Sequence, residues 1–177
     1  MVNATIKLLS RQGYHGTGLN EIVAEAQAPK GSMYHHFPGG KEQLVAEAIT
    51  SAGRYVSNKM SGGADALEVA EILTDRLVRR LLQTNFTDGC AIASSTLDVA
   101  PISAAVREAC ATTFADWQDI LVARLVDEGA ADADAQRAAT VVIAAVEGAL
   151  VLSRAVADTT PLQRVRDSLP HLLSAAR

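Results

Sequence analysis

Between Gly16 and Leu44 the chain reads GTGLNEIVAEAQAPKGSMYHHFPGGKEQL, and this stretch narrows the possible folds more than any other. Leu19, Ile22, Val23 and Ala26 recur at i, i+3, i+4 and i+7, the stripe of a helix buried on one side. Thr17 stands just ahead and is the expected N-cap. After a tight turn, Lys30 to Phe37 predicts a second short helix with Met33 and Phe37 inward. That leaves Lys30, Ser32, Tyr34 and His35 outward, and a third helix begins at Lys41. A short helix with a cation, hydroxyls and an imidazole on its outer face suits a DNA groove. The Lys and hydroxyls can meet phosphates, and the tip can reach base edges.

The rest of the chain also reads as helix. With 177 residues, one or two small domains are expected. An apolar content of 49% is ample for a core, and 4% aromatics make that core aliphatic and Ala-rich. The first helix is expected from Val2 to Gln12, with Val2, Ile6 and Leu9 inward and Gly13 as its stop. The helix from Lys41 runs to about Met60, where Ser61-Gly62-Gly63 breaks the chain. The N–H groups of Gly39 and Gly40, beside Lys41, are expected to face a phosphate. A fifth helix spans about 64–85, with Leu67, Ala70, Ile72, Leu73, Leu77, Leu81 and Leu82 as its apolar set. Cys90 to Val99 is a short helix or an irregular turn.

Pro101 opens a long helix to about Glu128, with Val106, Cys110, Phe114, Trp117, Leu121 and Leu125 in one stripe. A helix from Asp132 or Asp134 to Val156 follows, then a last one from Pro161. Pro170 should kink or divide that last helix near Leu169. The apolar run 141–152 contains Glu147 and Gly148 and ends at Ser153-Arg154, short of the ~20 residues a bilayer needs, so it is expected as a buried helix.

The net charge of −4 hides an asymmetry. Residues 1–55 carry five Lys+Arg against four Glu, whereas 56–177 carry eleven against sixteen acids. The weak positive balance of the first part fits binding by placement more than by bulk charge. Cys90 and Cys110 have neither a CxxC spacing nor a nearby paired His, so free thiols in a reducing cytoplasm are expected, with no metal site. The start of the chain has no secretory signal. Catalytic residues are not expected. The chain lacks Glu-x-x-His, His-Glu-x-x-His, a phosphate-binding Gly loop and Gly-x-Ser-x-Gly, and no cofactor is implied. Asp65, Glu68 and Glu71 read as a solvated face.

The string Lys30-Gly31-Ser32-Met33-Tyr34-His35-His36-Phe37 resembles the recognition helix of TetR-family transcriptional regulators. Pro38-Gly39-Gly40-Lys41 and, downstream, Gly89-Cys90-Ala91-Ile92-Ala93 resemble the LmrA/YxaF-like branch. One departure is Pro29, where many relatives have a Ser or Thr N-cap; Pro suits a first helical turn because its missing N–H would be unpaired anyway. Relatives usually carry several polar or basic residues ahead of the first helix, where this chain has Met1. The resemblance implies an all-α fold with a helix-turn-helix DNA-binding domain over 1–55 and a ligand-binding and dimerisation domain over 56–177. It also implies a cytoplasmic homodimer on double-stranded operator DNA, most often a repressor released by a small molecule. For this branch the inducer would be planar and apolar.

Residue by residue, Thr17, Lys30, Gly31, Ser32, Tyr34, His35, His36 and Lys41 form the expected DNA-contact set. Lys30 and Lys41 would clamp phosphates, and Tyr34 would reach one through its hydroxyl. Backbone would approach bases at Gly31 and Ser32, and His35 would point outward. His36 stays open between a contact and packing near the fourth helix. Phe86, Cys90, Cys110, Phe114, Trp117 and Leu121 are candidates for the inducer cavity, with plain core as the competing reading. Ala144, Gly148, Val151, Leu152, Leu162, Val165 and Leu169 are candidates for the dimer interface, because small residues let helices approach closely. Glu147 is open between a ligand and an interface role. The rival from another class is a helical ligand-binding or scaffolding protein with a vestigial DNA-binding domain, which the acidic total charge favours. Binding to its own upstream region would separate the two.

Overall fold

A computed structural model describes residues 1–99 and 101–174. Those residues form nine helices and no strand: α1 Val2–Gly16, α2 Leu19–Glu25, α3 Lys30–His36, α4 Gly40–Met60, α5 Ala66–Gln83, α6 Ala91–Asp98, α7 Ala104–Asp127, α8 Asp132–Val156 and α9 Thr160–Ser174. They pack as two units that are not contiguous in sequence. The first comprises Met1–Arg54 with Cys90–Thr113, and the second Tyr55–Gly89 with Phe114–Arg177. The cut after Arg54 lies beside the expected one at 55, but α6 and the start of α7 join the N-terminal unit. Helices α4 and α7 each run from one unit into the other.

In the first unit, Ala4, Leu8, Ile22, Met33, Phe37 and Leu44 form one apolar cluster, with Val2, Leu19, Val23 and Ala26 against its edge. The buried face of α1 is Ala4, Thr5, Leu8 and Leu9, one position away from the expected Val2-Ile6-Leu9 stripe. Adjacent stripes on a helix differ by one residue step, and the contact with α6 selects this one. Gly13 does stop the regular helix: its φ of 69° and ψ of −174° kink α1 before a final turn. Only a residue without Cβ is at ease there, since a Cβ would run into the Asp98 carboxylate.

In the second unit, Asp65 caps α5 by accepting from the Glu68 N–H (2.8 Å), and the Glu68 carboxylate accepts from the Ala64 N–H (2.7 Å). Asp65 and Glu68 are exposed, as expected of a solvated face, and they also cap the helix in a variant of the capping box in which Glu68 takes the N–H one residue before the N-cap. Glu71 and Asp75 meet Arg166 of α9 at 3.3 and 2.9 Å. Of the α5 apolar set, Leu73, Leu77 and Leu81 are buried, while Leu82 is 61% exposed. Of the α7 stripe, Val106, Cys110, Trp117, Leu121 and Leu125 are buried and Phe114 is half-buried, and the helix starts at Ala104 instead of Pro101.

Two expectations are corrected here. Helix α9 continues through Pro170 instead of dividing. Leu169 and Leu173 on either side are buried and Pro170 itself faces solvent, so the packing of α9 holds the helix together although the Arg166 carbonyl loses its i+4 donor. Helix α8 has the expected bounds, Asp132–Val156, but its 25 residues satisfy the length and composition of a membrane span, which the apolar run 141–152 alone did not. In this structure Ala135, Ala139, Val142, Val146, Ala149 and Leu150 are buried within the second unit.

Candidate nucleic-acid interface

Helix α2 is braced on α1 by charge and hydrogen bonds. Lys7 Nζ meets Glu25 Oε1 at 2.6 Å, and Gln12 Nε2 donates to Glu21 Oε2 at 2.8 Å. The turn to α3 uses Gln27 with φ 50°, and the N–H groups of Gln27 and Ala28 close it by donating to Ala24 O (3.0 Å) and Val23 O (3.1 Å). This is the Schellman-like ending that lets a chain reverse within a few residues. Pro29 is the N-cap of α3 and makes no side-chain cap bond, so the first turn starts on proline geometry alone.

Met33 and Phe37 seat α3 in the core, at 1% and 7% exposure. The opposite face is open: Lys30, Gly31, Tyr34, His35 and His36 are exposed and Ser32 half-buried. Tyr34 is 62% exposed. A Cβ at Gly31 would meet nothing within 4 Å, so close approach by another molecule is unobstructed. His36 is exposed, with its ring edge-on to His35 (5.1 Å between centroids) and to Phe37 (6.5 Å).

Three expected contacts change. Thr17 is fully buried and is the C-cap of α1; its hydroxyl donates to Gly13 O at 2.7 Å, and Gly18 is the N-cap of α2. The helix kink leaves a carbonyl that the nearest hydroxyl satisfies, so Thr17 positions the start of α2 and has no side-chain surface for DNA. The Gly39 and Gly40 N–H groups are taken too, by Gln43 Oε1 (2.8 Å) and Phe37 O (2.9 Å). Lys41 is half-buried rather than splayed: Nζ donates to Tyr14 O at 2.6 Å and lies 3.8 Å from the centre of the Tyr14 ring. Burial lowers the Lys41 pKa; burial, and then the charge of Glu42, raise that of Tyr14.

Sequence reading missed the residues that hold this end of the unit together. Asp98 at the end of α6 accepts from the Tyr14 N–H at 2.8 Å and thereby caps the turn after the Gly13 kink. His15 Nε2 lies 3.3 Å from Asp98 O. Ser94 donates to Leu9 O at 3.0 Å, and Ser103 donates to Glu42 Oε2 at 2.8 Å. The first of these partners stand 84 residues apart, and no local pattern signals such a bond.

The remaining candidates fall in both units. Cys110 is buried, with its thiol 3.8 Å from Ile92 O and its pKa raised by burial, and Cys90 Sγ accepts from the Ala93 N–H at the start of α6. In the second unit Phe114 meets Trp117 edge-on at 5.6 Å, and Trp117 and Leu121 are buried. Phe86 is half-buried in the turn after α5, at φ 61°. Of the interface candidates, Ala144, Gly148, Val151 and Leu152 lie on an exposed stripe of α8 and Val165 is half-buried. Leu162 and Leu169 are fully buried within the unit itself, so they are corrected to core residues. Their spacing turns them inward on α9, and the Leu162 N–H is bonded to Ser153 Oγ at 3.3 Å.

Known proteins supply the context for this geometry. Residues 2–48 match the family described as bacterial regulatory proteins, tetR family, and residues 66–168 the one described as transcriptional regulator LmrA/YxaF-like, C-terminal domain. The chain is similar to the HTH-type transcriptional regulator LmrA of Bacillus subtilis, at 34% identity over 98% of this chain and 94% of that protein. It is also similar to the uncharacterized HTH-type transcriptional regulator YxaF of the same organism, at 32% identity over 98% and 93%. The crystal structure of a TetR transcriptional regulator from Legionella pneumophila has the same fold, with a TM-score of 0.86 at 20% identity over 96% of this chain and 93% of that one. An all-helical chain with a helix-turn-helix at its N-terminal end, matched along nearly its whole length, belongs to the TetR family of transcriptional regulators, with an LmrA/YxaF-like C-terminal domain.

Proposed function

We propose that this regulator is a ligand-released repressor that binds operator DNA as a homodimer in the cytoplasm. The carrying observation is the outer face of α3, where Lys30, Gly31, Tyr34, His35 and His36 are all exposed around a helix pinned by Met33 and Phe37. On this reading Lys30 and the Tyr34 hydroxyl contact phosphates, Gly31 and Ser32 lie next to bases, and His35 and His36 extend the contact surface. Lys41 holds the turn before α4 against Tyr14 and, with its remaining donors, faces the same backbone. The DNA-reading part is residues 1–55, and 56–177 carry the inducer and the dimer contact.

Dimerisation is required by the geometry of duplex DNA, since two recognition helices must reach grooves about 34–36 Å apart. The exposed stripe of α8 supports this, because Ala144, Gly148, Val151 and Leu152 present a small and apolar surface that a second copy would cover. This reading makes α8 a bundle helix and not a membrane span. The inducer, a planar apolar molecule, binds near Phe114, Trp117 and Leu121, with Phe86 as a further lining candidate of the same unit. It acts by population shift, binding better to the form whose recognition helices are wrongly spaced. The regulator holds no cofactor and turns over no substrate.

The test is fluorescence anisotropy with a duplex from the gene's own upstream region. Tyr34→Ala should weaken binding about tenfold and reduce the salt slope by about one, with helicity unchanged. Planar apolar compounds should release the duplex over the range in which they quench Trp117, the only tryptophan. Wild-type affinity in Tyr34→Ala, or no specific binding at all, would leave the ligand-binding or scaffolding reading in its place.

A further inference from the structure

A surface lysine ordinarily keeps its rotamer freedom, and a phosphate contact must then take that freedom away. Lys41 has given much of it up before anything binds. Its Nζ donates to Tyr14 O at 2.6 Å and lies 3.8 Å from the centre of the Tyr14 ring. A carbonyl and a ring face fix the ammonium in space without cancelling its charge.

What holds Tyr14 is therefore what holds Lys41. The Gly13 kink interrupts regular helix geometry, and the Tyr14 N–H just after it donates to Asp98 Oδ2 at 2.8 Å, at the end of α6. The Tyr14 carbonyl accepts from Lys41 and also from the Thr17 N–H at 3.2 Å, ahead of α2. Gly13 and Asp98 fit as a pair, because a Cβ on Gly13 would run into that carboxylate. A second tie lies alongside. Ser103, ahead of α7, donates at 2.8 Å to Glu42, the next residue after Lys41 in the first turn of α4. All of these residues belong to the first unit.

We propose, building on the DNA-reading face described above, that Asp98 is a positioning residue for DNA binding: through Tyr14 it fixes the Lys41 ammonium where a phosphate of the duplex meets it. Lys41 is then ordered on folding and need not be ordered again on binding. The sign of the effect separates this role from bulk electrostatics. Asp98 is an acid in a unit that meets a polyanion, so by charge alone its removal should tighten duplex binding. As a positioning residue, its removal loosens binding instead.

Fluorescence anisotropy of the full chain with two duplexes, the gene's own upstream region and an unrelated sequence at low salt, tests the relay. A phosphate contact carries no sequence information, so the unrelated duplex reads Lys41 even if the upstream region is not preferred. Asp98→Ala should weaken both about three- to tenfold, the cost of ordering one long side chain on binding. Asp98→Asn keeps an acceptor oxygen for the Tyr14 N–H and should bind at least as tightly as wild type. In a Lys41→Ala background, Asp98→Ala should cause no further loss.

Wild-type or tighter binding in Asp98→Ala overturns the proposal. So does an equal loss with and without Lys41, which would make Asp98 a support of the fold alone. If circular dichroism shows that Asp98→Ala does not fold, Tyr14→Leu breaks the relay at a half-buried position, and unchanged affinity there overturns the proposal equally. Wild-type binding to neither duplex overturns it together with the DNA-binding reading. Preference for the upstream duplex is decided by the wild type alone, so operator recognition and the positioning role of Asp98 fail separately.

Discussion

Helices α3 and α8 each leave one face uncovered, and they do so with opposite chemistry. The seven residues of α3 turn a cation, a phenol, two imidazoles and a bare glycine outward, while Met33, with Phe37 just beyond the helix end, holds the helix down. The 25 residues of α8 bury nine side chains and expose Val141, Val151, Leu152 and Val156 at 49%, 61%, 60% and 61%. A polar outer face is stable in water without a partner and gains one only when a charged surface arrives. An apolar outer face of that extent is not at its lowest free energy until something covers it. On the proposed function, the contrast separates a surface used intermittently from one satisfied by permanent association.

The sharpest way to break this comparison is to remove the α3 anchor. Met33→Ala should destabilise the first unit by about 2–5 kcal/mol, the usual cost of truncating a fully buried side chain. Urea unfolding followed by circular dichroism reads the loss; a change below 1 kcal/mol would mean that α3 is held by its turn and not by its core residues. Next in size is Gly148→Leu on α8. A Cβ there meets nothing within 4 Å in the protomer, so the fold should be unaffected while the dimer weakens about tenfold or more, equivalent to about 1.4 kcal/mol. Sedimentation showing an unweakened dimer would remove Gly148 from the helix crossing.

The smallest effect contrasts the two thiols. Cys110 is buried and its pKa is raised by burial, partly offset by a hydrogen bond with Thr96, whereas Cys90 is only half-buried. Maleimide should label Cys90 first, and Cys110 only on unfolding. A thiol whose folded pKa lies above the unfolded value adds stability below the unfolded pKa and loses it as pH rises through the folded one. The protein should therefore become slightly less stable above the ordinary thiol range. Equal labelling rates for the two cysteines would contradict the burial assigned to Cys110.

What was legible in the sequence was what repeats locally. The stripe of Leu19, Ile22, Val23 and Ala26, the Met33–Phe37 anchor and the long α7 stripe all follow from a 3.6-residue period, and Gly13 and Ser61-Gly62-Gly63 mark real breaks. What was not legible depends on distant partners. Thr17 looked like an N-cap because its sequence neighbours fit, but the Gly13 kink exposes a carbonyl that claims its hydroxyl. Lys41 looked solvent-exposed until Tyr14 came to lie beneath it. Leu162 and Leu169 share apolar character with the α8 stripe, and nothing in composition tells a core leucine from an interface one. The expected domains were two contiguous stretches, and the packing of Cys90–Thr113 with the first unit has no signature in the local sequence.

The hydrogen bond from the Tyr14 N–H to Asp98 also sets a schedule. At about 5–20 residues per second, a ribosome needs roughly 4–17 s to translate the 84-residue interval between its partners, and longer for Asp98 to clear the exit tunnel. Until then the kinked end of α1 lacks its cap and the apolar face that meets α6 has no cover. The helix-turn-helix emerges first but is completed only after α6 has followed, so a nascent chain stalled before Asp98 would expose an unfinished N-terminal unit to chaperones and proteases.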